Sequence, residues 1–416
     1  MKEHKIYFYL IILISYLIFI TGFFIEENIT SGAIDWPHVQ RMIGSFSEDF
    51  NTYFREYENR HSPLLYILLS FLKKIDLNLD AIRFVHLHIS FLTLIVIYKC
   101  LKIKFNNSIN KIYILILSIF IVLFSPNLRT VAYWPLPYNL GLFLLTLSFY
   151  FCLKFFDDQN NQIQKNYYLS LNIFFVAMAS YISPNFSLFS LYFAYLFLRN
   201  QFDKKTIMIL LLGNLILSLP ALYYFFIYNP FFIFNTSVHP ESSALRLNYL
   251  NKFVIICSII FFHLLPFILK FDKDKIKQTI QKKPLILFSF IVFFIFSLFY
   301  FNFKPEYGGG GVFLKLSYLV LGNQNLFVFI CIFIFSFIYL LTASNLNNLF
   351  LLIIFILMNP QLSIYHRYYD PLVLIVFLLF FENNIFKSNL IDKKMIYTLS
   401  LFIISFNLLY LLKNYI

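Results

Sequence analysis

Residues 6–25 carry no charge, and comparable apolar runs recur along the rest of the chain. About 20 apolar residues are what an α-helix needs to cross the roughly 30 Å core of a bilayer, so a chain built from such runs folds in lipid, with its backbone hydrogen bonds closed inside helices. Composition agrees. Of 416 residues 60% are hydrophobic and only 13% charged, against about 25% charged in a soluble domain. A soluble monomer and a disordered chain are excluded, and no polar stretch is long enough to form an appended soluble domain. The expected fold is all-α: a polytopic transmembrane helical bundle, one domain over residues 1–416.

Counting the runs gives about thirteen spans, near residues 6–25, 84–101, 111–126, 138–156, 167–183, 185–198, 206–228, 252–269, 285–301, 320–342, 349–363, 371–386 and 395–412. Lys2 and Lys5 precede the first run and no small-x-small cleavage site follows it, so it reads as a retained signal-anchor. With the N-terminus cytoplasmic, 20 of the 33 Lys and Arg residues and 8 of the 20 acids lie inside; 13 cations and 12 acids face outward. The formal charge of +13 is then mainly positive-inside bias, and no nucleic-acid partner is expected. Abundant Ile, Phe, Asn and Lys with little Ala points to an AT-rich genome and a bacterial inner membrane. Cys100, Cys152, Cys257 and Cys331 are far apart and show no Cys-x-x-Cys spacing, which argues against a zinc site or a disulfide framework.

Function is sought on the outer side, where residues 26–83 form the longest segment. Its apolar run over residues 64–72 would reach only about 14 Å as a helix and cannot cross. Opened by Pro63 and closed by Lys73 and Lys74, it is expected to lie as an interfacial helix. Upstream, Thr30-Ser-Gly-Ala-Ile-Asp-Trp-Pro-His38 places Asp35 just outside the core beside Trp36 and His38. Asp35 is either a functional acid or the N-cap of a helix with Pro37 in its first turn, and the two roles are compatible. The segment Glu56-Tyr-Glu-Asn-Arg-His-Ser-Pro-Leu-Leu-Tyr66 puts Glu58, Arg60 and His61 at the mouth of the interfacial helix. Cations at that depth suit a lipid phosphate, and equally suit ordinary snorkelling. Near the end, Tyr365-His-Arg-Tyr-Tyr-Asp-Pro371 sets Arg367 and Tyr368 at a span edge, where Arg367 either serves a ligand or pairs with Asp370. Trp134 and Tyr138 read as an aromatic belt. Glu306-Tyr-Gly-Gly-Gly-Gly311 reads as a flexible loop, although bare backbone of this kind also suits a phosphate.

An acid after the first span, His-Ser-Pro-Leu-Leu-Tyr about 26 residues later, a short helix, and Arg83 leading into a span that ends in cations form a familiar order. It resembles the polytopic GT-C glycosyltransferases, in particular the branch of lipid A aminoarabinose transferase, protein O-mannosyltransferases and their bacterial relatives. Their usual wording is Asp-Glu followed by His-Pro-Pro-Leu-Tyr-Tyr, and Arg-Tyr-Tyr-x-Pro is similar to their late Arg-Tyr-x-x-Pro. The resemblance covers residues 1–105 and 365–371. Trp36 stands where the second acid is usual and Ser62 where the first Pro is usual.

The resemblance implies a polyprenyl-phosphate sugar donor, a glycan, lipid or protein acceptor, and a site on the periplasmic face. Asp35 would be the catalytic acid/base and Glu58 or Glu56 a substitute second acid. Arg60 and His61 would contact phosphate, with His38, Arg367 and Tyr368 completing the substrate-binding set. No cofactor is expected; Asp35, Glu58 and His61 lack a diagnostic metal spacing, which leaves Mg²⁺ or Mn²⁺ open. The competing expectation is a transporter or flippase, which would place ionisable groups near the midplane and break its spans in paired halves. A glycan polymerase or ligase would also keep its site outside.

Overall fold

The computed structural model describes residues 2–29, 32–57, 62–105, 109–157, 161–228, 248–282, 284–304, 308–343, 345–382, 385–387 and 390–413. These residues are helical and contain no β-strand, as the apolar runs require. The chain divides into two compact units, Met1–Asn235 with Ser400–Ile416, and Thr236–Leu399.

The first unit holds α1 (Lys2–Phe24), α2 (Gly32–Glu48), α3 (Phe50–Arg55), α4 (Leu64–Lys74), α5 (Leu79–Phe105), α6 (Lys111–Leu123), α7 (Pro126–Tyr133), α8 (Pro137–Phe155), α9 (Gln162–Ile182), α10 (Phe189–Asn200) and α11 (Lys204–Tyr223). Its core is the stack of α5, α8 and α9. Leu142, Leu145 and Phe149 of α8 are fully buried, and Phe149 meets Phe189 at 5.7 Å between ring centroids. Local chemistry sets the helix starts. Asn161 and Gln164 close a capping box on α9, Asp203 caps α11 through Thr206, and Ser125 caps α7 with Pro126 at its first position.

The second unit holds α12 (Tyr249–Leu264), α13 (Lys273–Lys282), α14 (Pro284–Phe299), α15 (Gly311–Leu321), α16 (Asn325–Thr342), α17 (Leu346–Leu357) and α18 (Leu372–Phe380). α12 is buried along most of its length, and α14 to α18 pack around it. A last helix, α19 (Lys393–Lys413), follows.

Among the described residues, six helices are long and apolar enough to cross a bilayer: Ile6–Phe24, α5, α8, α11, Tyr249–Lys270 and α16. A seventh arises if α6 and α7, bent by 61° at their junction, count as one. That fits a multi-pass membrane protein and falls short of the expected thirteen spans. The shortfall has a physical cause. Several of the expected spans are helices too short to cross: the runs at 111–126, 185–198, 349–363 and 371–386 form helices of 13, 12, 12 and 9 residues. α18, with 9 residues, reaches only about 14 Å. By contrast α4 occupies the segment expected for the short amphipathic helix, with Leu65, Tyr66, Leu69 and Ser70 buried and Phe71 and Lys74 outward.

Candidate functional site

In the first unit the site is built where the chain leaves α1. Glu27 turns back into the protein and meets Arg129 of α7: Arg129 Nε donates to Glu27 Oε1 at 2.8 Å and Nη2 to Oε2, with both side chains about nine-tenths buried. Trp134 Nε1 donates to the Glu27 carbonyl at 3.0 Å, and the Tyr133 hydroxyl to the Phe19 carbonyl at 2.7 Å. Arg83 of α5 lies in the same layer. Its Nε donates to the Tyr133 carbonyl at 3.1 Å, its Nη1 lies 3.2 Å from Asp80 and 3.5 Å from Glu26, and its guanidinium carbon is 4.0 Å from the Trp134 ring centroid. Trp134 and Tyr138 are 7% and 4% exposed. Both are therefore interior residues and not an aromatic belt: Trp134 offers its face to the Arg83 guanidinium, and Tyr138 packs against the Phe186 ring at 5.7 Å.

The layer seats α2. Asn28 Oδ1 accepts from the Ala33 N–H at 3.2 Å, and Gly32 brings the backbone so close to Thr130 that a Cβ would come within 2.6 Å of its methyl. Asp35 lies within the first turn of α2 and Pro37 inside the helix, which corrects the N-cap reading. There the carboxylate complements the positive end of the helix dipole. Asp35 is half-buried, and His38, three residues on, shares its side of the helix. The His38 ring stands edge-on to Tyr66 of α4, with centroids 6.2 Å apart. Burial, reinforced by the Arg41 charge, lowers the His38 pKa against the opposing pull of Asp35, so the imidazole is neutral near pH 7.

α4 is tied from its other side. The Ser62 hydroxyl donates to the Tyr181 carbonyl at the end of α9, and its oxygen faces the Leu64 N–H at 3.4 Å. Tyr57 and Tyr66, both buried, stand 6.5 Å apart and line the gap between α2 and α4. Glu58, Arg60 and His61 lie outside the described residues. The structure thus brings His38, within electrostatic reach of Asp35, against Tyr66 in the first turn of α4.

In the second unit, Arg367 and Tyr368 lie on a short 3₁₀ turn, His366–Tyr368, between α17 and α18. The inward residues anchor it. His366 packs on Phe262 and His263 at 5.8 and 5.6 Å, the Tyr369 hydroxyl donates to the Phe355 carbonyl at 3.2 Å, and Asp370 is buried within electrostatic reach of His263. Burial, with His263 and Lys315 nearby, pushes the His366 pKa well below its usual value, so His366 is neutral packing and not a phosphate-binding cation. Arg367 and Tyr368 are half-buried, and the Arg367 guanidinium lies 5.1 and 5.5 Å from the Tyr365 and Tyr368 ring centroids. Among the described residues no group of three His, Cys, Asp or Glu side chains is placed to hold a metal ion.

The sequence reading missed Glu27 and Arg129 entirely and gave Arg83 no role. The available signal was opposite charge in otherwise apolar surroundings, Glu26-Glu27 at a span end and Arg129 in a segment bounded by Pro126 and Pro135. No known protein family, curated protein or solved structure matches the chain.

Proposed function

We propose that the chain is a membrane glycosyltransferase that moves a sugar from a polyprenyl-phosphate donor to a glycan, lipid or protein acceptor by a single inverting displacement. The observation that carries this is the seating of Asp35: a half-buried carboxylate in the first turn of α2, within electrostatic reach of the neutral His38 imidazole, which itself packs on Tyr66 of the amphipathic α4, soon after the first long apolar helix. Displacing a phosphate at the anomeric carbon builds positive charge on the sugar and negative charge on the leaving group. A carboxylate suits the first demand and takes the acceptor proton late in the step. A cation suits the second; within the second unit, Arg367, held on the Tyr365 and Tyr368 rings, is proposed as a contact for the lipid phosphate. An inner-membrane location, a periplasmic site and any crossings beyond six or seven belong to the same proposal.

A transporter without chemistry is the competing class, and the bent α6–α7 pair with its buried Glu27–Arg129 ion pair has the look of one. Glu27, however, lies three residues past the end of α1, so the pair marks a span end and not the midplane where a transport site is built. The test is transfer of label from a polyprenyl-phosphate sugar by purified protein. Asp35→Asn keeps the shape and removes the charge, at a stability cost of about 0.3–1 kcal/mol from the helix dipole. Turnover should fall by roughly 10² to 10⁴, with expression and donor binding retained. Asp49→Asn is the control, because Asp49 caps α3 through the Thr52 N–H and Asn caps as well as Asp. Near-normal turnover in Asp35→Asn would remove Asp35 as the catalytic residue.

A further inference from the structure

The four glycines at residues 308–311 are not accounted for by the chemistry above, and they pair with the segment that carries Arg367. The Ile364 N–H donates to the Gly308 carbonyl at 3.2 Å and the Gly310 N–H to the Ile364 carbonyl at 3.0 Å, forming an isolated parallel bridge between Gly309 and Ile364. All four glycines have φ between +80° and +85°, a region that residues with a Cβ rarely adopt. The contacts are as restrictive as the dihedrals. A Cβ on Gly309 would run into the Ile364 carbonyl, and one on Gly308 would stand 2.7 Å from the Tyr365 hydroxyl oxygen. Tyr365 is one of the two rings on which the Arg367 guanidinium rests. At its far end the run opens α15, where a Cβ on Gly311 would lie 3.1 Å from Ser258 Oγ on α12. The run is thus fixed at one end to α12 and α15 and hydrogen-bonded at the other to residue 364, three positions before Arg367.

We propose that Gly308 and Gly309 are positioning residues for Arg367: the glycine run acts as a backbone splint that holds residues 364–368 so that the guanidinium stays on the Tyr365 and Tyr368 rings. This rests on the reading of Arg367 as the donor-phosphate contact. Burying the turn is the task of His366, Tyr369 and Asp370, through Phe262, His263 and the Phe355 carbonyl. The aim of the outward Arg367 is what the glycine side adds. A guanidinium that must meet a phosphate at hydrogen-bond distance loses much of its value when displaced by an ångström or so, which is why a support without chemistry of its own is informative.

The test uses the full chain in nanodiscs, with a polyprenyl monophosphate as probe and two readouts, probe binding and amide exchange over residues 362–368. Gly309→Ala should raise exchange at Tyr365 to Tyr368 and weaken probe binding about 10- to 100-fold, as should Arg367→Ala for binding alone. The double variant should be little weaker than either single, since both remove one interaction. In the transfer assay the loss should fall on KM for the donor more than on kcat. If Gly309→Ala fails to fold, Gly308→Ala takes its place, because the atom it meets is the movable end of a tyrosine. Unchanged exchange at residues 364–368, or additive losses in the double variant, would overturn the splint. Unchanged probe binding in Arg367→Ala would instead overturn the role of Arg367, leaving exchange to decide the positioning.

Discussion

At the scale of single residues the costliest feature is the Glu27–Arg129 pair, buried at the end of α1 and separated by 102 positions in sequence. Two charges taken out of water are held only because each satisfies the other, so removing one strands its partner. Glu27→Leu or Arg129→Met alone should lower stability by about 3–5 kcal/mol, whereas the two together should come close to the parent, because an apolar pair of similar volume needs no compensation. Thermal unfolding in detergent measures all three. Singles that lose under about 1 kcal/mol would mean that water reaches the pair. The same logic explains why Trp134 is interior: stacked on Arg83 and hydrogen-bonded to the Glu27 carbonyl, it belongs to the charge layer and not to the lipid interface.

At the scale of elements, α2 and α4 carry the candidate site, and Ser62 ties α4 to α9. Its hydroxyl anchors the start of α4 to the last turn of α9, a contact that the proline usual in the resembled family cannot make. Ser62→Ala should cost about 1 kcal/mol and raise amide exchange over residues 64–67 while leaving α8 unchanged. Exchange that does not move would show that α4 is held by its apolar face alone. How legible these elements were follows from how local their causes are. α4 was readable almost to the residue, because Pro63, an apolar run and Lys73-Lys74 are a complete local instruction. α2 includes Asp35 and Pro37, which look like a helix start; the Asn28 side chain, five residues back in sequence, accepts from the Ala33 N–H within it. The ends of α5 extend past the expected span, Leu79–Phe105 against 84–101, because a helix continues through polar residues after leaving the apolar window. The pairing of residue 309 with residue 364 has no local signature at all, which is why the glycine run read as a plain loop.

At the scale of the whole molecule the open quantity is which side the site faces, and helix lengths make that testable. Between Ser47 on α2 and Asn110 before α6, α5 is the one described helix that can cross; its 27 residues rise about 40 Å. α3 and α4, with 6 and 11 residues, rise about 9 and 16 Å and cannot span a core of about 30 Å. α2, with 17 residues, would rise about 25 Å, but it carries Asp35, His38 and Arg41 along its length and packs on α4. One crossing therefore separates Ser47 from Asn110. The proposed topology puts Lys99, Lys102 and Lys104 at the end of α5 in the cytoplasm, as positive-inside bias favours, and Ser47 outside. The native cysteines are all buried, so single introduced cysteines can be labelled in intact cells against a quiet background. A membrane-impermeant maleimide should modify Ser47→Cys in whole cells and Asn110→Cys only after the membrane is opened. Labelling of both from one side would mean that α5 does not cross, or that a second crossing lies between residues 47 and 110. The reverse pattern would place Asp35 in the cytoplasm, where soluble nucleotide sugars are available as donors, and the proposal of a periplasmic lipid-linked donor would fall with it.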